Sequence, residues 1–114
     1  MAVLVAVTDS AEGDLALARG VAEAELRETS LLVANLRLGP LAVPPGAKLI
    51  ERRPNVDVAD HVLDLLDEYA GEVELLVIGM KRRSPVGKAV LGSVAQRLLL
   101  SASVPVLAVK TAEN

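Results

Sequence analysis

At 114 residues with a formal net charge of −3, the chain is long enough for one hydrophobic core and too short for two, so a single domain over residues 1–114 is expected. Tyr69 is its only aromatic residue and cysteine is absent, which excludes base-stacking platforms for single-stranded nucleic acid, disulfides, thiol catalysis and cysteine metal sites. No stretch approaches the roughly 20 apolar residues of a bilayer span, nothing at the amino end resembles a signal peptide, and no global positive field exists; a cytoplasmic protein with no nucleic-acid or membrane partner is expected.

Ala2 to Val7 is an uninterrupted Val-rich run, the pattern of a central strand buried on both faces. Ser10 or Asp9 is positioned to cap a helix from about Ala11 to Glu28, with Glu12 and Asp14 favourable in its first turn. Leu15, Ala18, Val21, Ala22 and Leu26 recur at helical spacing and are expected to form its buried face. Leu31 to Leu36 is a second buried strand. Gly39-Pro40 and Pro44-Pro45-Gly46 then leave no room for a helix, so a third, weaker strand within Ala47 to Arg53 is reached by an unusually short crossover.

Asn55 or Asp57 caps the next helix, whose Val58, Val62, Leu65, Leu66 and Tyr69 mark one apolar face and which Gly71 ends. Val73 to Ile78 is the fourth strand. Ser93 opens the last helix, where Ser93-Val94-Ala95-Gln96 matches a capping box and Val94, Leu98 and Ala102 form the buried stripe. In the closing strand, Val104 to Val109, Pro105 has no N–H to donate, which places the strand at a sheet edge. An apolar edge requires cover, and a second copy of the chain is the simplest cover.

Strands alternating with helices in this order predict an open, mainly parallel sheet with helices on both faces, and ligands bind outside the carboxyl ends of such strands. The loop after the fourth strand carries Gly79, the cations Lys81, Arg82, Arg83 and Lys88, and then Gly92-Ser93 at a helix start. Backbone N–H groups and a helix dipole meet there, the requirements of a phosphate site. Arg52 and Arg53 form a second basic pair. His61, the only histidine, has no second histidine or cysteine to complete a metal site and reads as a surface residue; no Ser/His/Asp nucleophilic set assembles.

The opening Val-Leu-Val-Ala-Val-Thr-Asp-Ser and the closing Leu-Leu-Val-Ile-Gly, Leu-Gly-Ser-Val-Ala and Val-Pro-Val-Leu-Ala-Val resemble the universal stress proteins of the UspA type over nearly the whole chain. The resemblance implies a three-layer α/β fold, Rossmann-like and similar to the adenine nucleotide alpha hydrolases. Its five-stranded sheet has the order 3-2-1-4-5, here with the second helix shortened or missing. It also implies homodimerisation through the last strand and non-covalent binding of ATP, with or without Mg.

ATP-binding members carry a glycine, two residues, a second glycine, nine residues, then glycine and a small hydroxyl residue. Gly79 fits the first position and Gly92-Ser93 the last, whereas Arg82 stands where the second glycine belongs. By the same resemblance Asp9 meets the ribose, Asn35 lies near the adenine, and Ser93 bonds a terminal phosphate. Where Arg82 departs from the family motif, charge-assisted bonds from Arg82, Arg83 and Lys88 and backbone freedom at Gly87 are expected to compensate, and Thr8, Met80 and Val94 complete the expected set. The alternatives are a nucleotide-free dimeric interaction module, in which Arg82 closes the pocket, and an enzyme acting on ATP, for which no catalytic residue set is evident beyond slow hydrolysis.

Overall fold

A computed structural model describes residues 1–83, 88–89 and 92–111, with only the backbone described at Arg82, Arg83, Lys88 and Ala89. In chain order the elements are β1 (Ala2–Val7), α1 (Ala11–Leu26), β2 (Ser30–Asn35), β3 (Lys48–Glu51), α2 (Val58–Glu68), β4 (Val73–Met80), β5 (Arg82–Arg83), β6 (Lys88–Ala89), α3 (Ser93–Ser101) and β7 (Val106–Lys110). Five strands form one sheet in the order β3-β2-β1-β4-β7, and every pairing in it is parallel. This is the expected 3-2-1-4-5 order.

The two central strands hold the core. Every residue of β1 is buried, as are Leu75 to Ile78 of β4. Alternate side chains point to opposite faces. Leu4 and Ala6 join Leu32, Ala34, Leu76 and Ile78 beneath α2 and α3, whereas Val3, Val5 and Val7 join Val33 and Val77 beneath α1. Fully burying one such Val or Leu side chain is worth about 1.5–3 kcal/mol. A polar substitution in β1 therefore removes a large share of the net stability.

α1 does not bury the face that its larger side chains suggested. Gly13, Ala16, Gly20 and Ala24 face the sheet, while Leu15 is 41% exposed and Leu26 is 78% exposed. The reason is steric. A Cβ on Gly20 would lie 3.0 Å from the Val5 Cβ, so the helix backbone sits too close to the sheet for a bulky residue on that line. Leu17 and Val21 instead pack at its flanks.

The missing helix between β2 and β3 is replaced by extended chain. Leu41, Val43 and Ala47 pack onto the same sheet face as α1, so the crossover covers with alternate side chains what a helix would have covered. Gly46, at φ +88°, and the Ala47 N–H donating to the Pro44 carbonyl at 3.1 Å turn the chain into β3. That strand is shorter than the Ala47 to Arg53 expectation. The two prolines of the turn have no N–H to leave unpaired.

On the opposite face α2 and α3 pack side by side. The Asp57 side chain caps α2 by accepting from the Asp60 N–H, and Arg97 of α3 pairs with Asp57 at 3.2 Å and with Asp60. At the sheet edge, β7 begins immediately after Pro105, whose carbonyl accepts from the Leu76 N–H at 2.9 Å. Val106 to Val109 are half-buried. Among the described residues no helix is long and apolar enough to cross a membrane.

Candidate functional site

Adjacent parallel strands bring β1 and β4 to a common carboxyl end. Thr8 and Asp9 follow β1 there, and Gly79 and Met80 close β4. Ser10 rather than Asp9 caps α1, accepting from the Gly13 N–H at 3.1 Å, and its hydroxyl also shares a hydrogen bond of 2.8 Å with Thr8. Asp9 is thereby released from capping. Its carboxylate has 67% side-chain exposure and is met by Arg37, whose Nη2 lies 3.1 Å from Oδ1. Arg37 also reaches Asp14, with Nη1 3.3 Å from Oδ1.

Gly79 is needed for close approach. A Cβ there would lie 2.3 Å from the Glu12 carbonyl oxygen, so the first turn of α1 rests directly on the end of β4. Unusual backbone angles, the structural role that a strand-ending glycine suggests, are not the reason, because its φ lies outside the left-handed region. This contact joins the Asp9 side of the site to the Gly79 side.

Gly92 is a different case. It is the N-cap of α3 in an extended conformation, makes no side-chain cap hydrogen bond, and would place a Cβ with nothing among the described residues within 4 Å. The expected capping box does not form. Ser93 is the first helical residue and exposed, and the Gln96 N–H bonds to the Gly92 carbonyl rather than to a hydroxyl. The first N–H groups of a helix have no intrahelical acceptor, and they carry the positive end of its dipole. α1 has Glu12 and Asp14 in its first turn and α2 has Asp60, whereas the first turn of α3 contains no acidic residue. Among the described residues, the start of α3 at Ser93 and Val94 therefore has neither a side-chain cap nor an acidic residue in its first turn.

Arg82 and Arg83 leave β4 in a short antiparallel ladder, pairing with Ala89 and Lys88 respectively, where an unpaired loop was expected. Their side chains and that of Lys88 are outside the described residues, as is Gly87. Asn35 is brought to the end of β2 but committed to the fold. Its Nδ2 donates to the Gly39 carbonyl at 3.1 Å and to Glu51 at 3.0 Å, and its Oδ1 accepts from the Arg37 N–H at 3.0 Å.

His61 is not a surface residue. It is 1% exposed, its Nδ1 accepts from Arg53 Nε at 3.3 Å, and its Nε2 has no hydrogen-bond partner among the described residues. Burial first, and the Arg53 charge second, hold it below the ordinary histidine range. No group of metal-ligating residues assembles among the described residues. Arg37 was missed as a site residue, although its place just after the carboxyl end of β2 was the available signal.

The universal stress protein family model matches residues 43–110. A universal stress protein of Mycolicibacterium smegmatis (strain ATCC 700084 / mc(2)155) is 40% identical over 117 residues, covering 86% of this chain and 88% of that protein. A solved universal stress protein from Archaeoglobus fulgidus superposes with a TM-score of 0.71 at 27% identity, over 96% of this chain and 98% of that one. A structure of the universal stress protein from the same organism in complex with dAMP gives a TM-score of 0.66 at 23% identity, over 96% and 98%. With the family match running over more than half of its length and this identity to a full-length relative, the chain belongs to the universal stress protein family.

Proposed function

We propose that this universal stress protein is a small stress-response module that binds an adenine nucleotide, ATP, non-covalently and acts as a homodimer. The observation that carries the reading is the start of α3, where a helix N-terminus with no side-chain cap and no acidic residue in its first turn begins at an exposed Gly92-Ser93 pair. Anions are stabilised at such an end by the N–H groups and the dipole together. Asp9, with its exposed carboxylate, accepts from a ribose hydroxyl, and Ser93 donates to a terminal phosphate. Arg82, Arg83 and Lys88 balance the phosphate charge. The dAMP complex of the archaeal universal stress protein supports an adenine nucleotide as the ligand class. The half-buried residues of β7, at the sheet edge, support pairing of two copies along Val104 to Val109.

Calorimetric titration with Mg-ATP, wild type beside Arg82→Gly, tests this function. Saturable binding by wild type is the expected result. Binding by the variant alone means that Arg82 occludes the site and favours the second reading, a nucleotide-free dimeric interaction module. That reading draws on the absence of the second motif glycine and on the Arg37 pairing that already occupies Asp9. Light scattering on the same samples tests the dimer; a monomer mass at working concentration would defeat it.

A further inference from the structure

Beyond the carboxyl ends of β2 and β3, on the other side of Asp9 from α3, lies a cleft of about 480 Å³ lined by Arg37, Gly39, Glu51, Arg52, Arg53 and Asn55, among others. Three arginines and one carboxylate line it; that carboxylate, Glu51, already accepts from Asn35 at 3.0 Å, while Arg37 and Arg53 are also paired with carboxylates outside the lining. Two of the arginines are fixed from behind. Arg53 donates from Nε to the buried His61 and pairs through Nη2 with Asp64 at 2.7 Å, which leaves Nη1 without a partner among the described residues. Arg37 is held by Asp9 and Asp14. Arg52 is exposed and has no side-chain partner among the described residues.

A guanidinium whose orientation is set in advance loses less entropy when it binds, and its planar fork matches the oxygens of a phosphate. Arg53 has this arrangement because a histidine, normally found nearer the surface, is buried behind it as a neutral acceptor. A carboxylate ligand would use one such fork. A phosphate monoester, with three terminal oxygens and up to two charges, is suited to several. No aromatic residue lines the cleft to stack a base, and the net charge of −3 opposes a nucleic-acid strand.

We propose that this cleft binds the phosphate group of a small phosphorylated molecule, at a site separate from the start of α3. Arg52 and Arg53 lie outside the Gly79 to Ser93 motif, and among the described residues the two sites touch only through Arg37, which pairs with Asp9.

The test is amide NMR titration of the full chain with inorganic phosphate and with glycerol 3-phosphate, each against sodium chloride of matched ionic strength. Saturable shifts at Gly39, Arg52 and Asn55 are expected with both phosphates and not with chloride. Arg52→Gln and Arg53→Gln should each weaken binding about tenfold or more, the usual loss for one charge-assisted hydrogen bond. Gly92→Glu should leave these shifts unchanged. Arg52 is exposed, so Arg52→Gln keeps the test valid even if Arg53→Gln loosens the packing of His61. Shifts confined to Gly79 and Gly92 to Val94, chloride shifts equal to those with phosphate, or an Arg52→Gln variant that titrates like wild type would each overturn the site. Binding of inorganic phosphate without glycerol 3-phosphate would overturn the assignment to a phosphorylated molecule.

Discussion

Gly79 and Gly92 occupy the two ends of the proposed phosphate motif, yet the described residues surround them in opposite ways. Gly79 closes β4 against the backbone of Glu12, with no room for a Cβ. Gly92 starts α3 with nothing among the described residues within 4 Å of the place a Cβ would take. The first glycine is required by the fold itself, because α1 must rest on the strand end. Among the described residues, no contact requires the second to be glycine. Under the proposed function, a motif that reads as one unit is thus part scaffold and part binding surface.

The most severe way to break this contrast is Gly79→Ala. The new methyl group meets backbone rather than a flexible side chain, and the expected loss is about 3 kcal/mol, the upper part of the range for overpacking. Gly92→Ala should stay within about 0.5 kcal/mol of wild type, as exposed substitutions usually do. Urea unfolding of both variants measures the difference, and equal losses would erase the comparison.

Next in size is Gly92→Glu, which puts a carboxylate at the open helix end. Nucleotide affinity should fall about 100-fold, equivalent to about 2.7 kcal/mol, while the unfolding midpoint barely moves. A variant that binds Mg-ATP like wild type in calorimetry would show that the α3 terminus is not where the phosphates go.

The closed helix start of α2 provides the third probe. Asp57→Ala removes a side-chain cap and one partner of Arg97, for an expected cost of about 1 kcal/mol. Nucleotide binding should persist, since this terminus is satisfied internally. A loss of binding with little loss of stability would reverse the roles assigned to the two helices.

The smallest effect concerns pH. Folding lowers the His61 pKa, so the unfolded chain takes up a proton at higher pH than the folded one. Stability from the neutral ring is fully present above about pH 6.5, the unfolded value, and is lost as pH falls from there through the lowered folded value. Thermal unfolding of wild type should therefore show a midpoint that declines below about pH 6.5, with a shallower decline in His61→Gln. Parallel curves for the two proteins would mean that the decline comes from the carboxylates.

Strand identity and the edge position of the last strand were readable because each depends on local patterning, whereas the sheet order came from the family resemblance. Continuous Val and Leu runs specify buried strands, and Pro105 forbids an interior ladder position. The motif spacing from Gly79 to Gly92-Ser93 likewise located the open helix start. Side-chain allegiance was less readable. Hydrophobicity chose Leu15 and Leu26 as the inner face of α1, whereas close approach to Val5 and Thr8 selected the small residues. The Ser93 sequence pattern fitted a cap, but the helix began one residue too early for it.

By itself the sequence determined the order of elements, the apolar segments they bury and the family to which the chain belongs, because periodicity, turn chemistry and motif spacing are properties of neighbouring residues. Tertiary structure alone decided that Arg37 pairs with Asp9, that His61 is buried behind Arg53, and that an extended crossover substitutes for a helix. Those outcomes depend on the distance between segments far apart in the chain, which packing sets and local sequence does not encode.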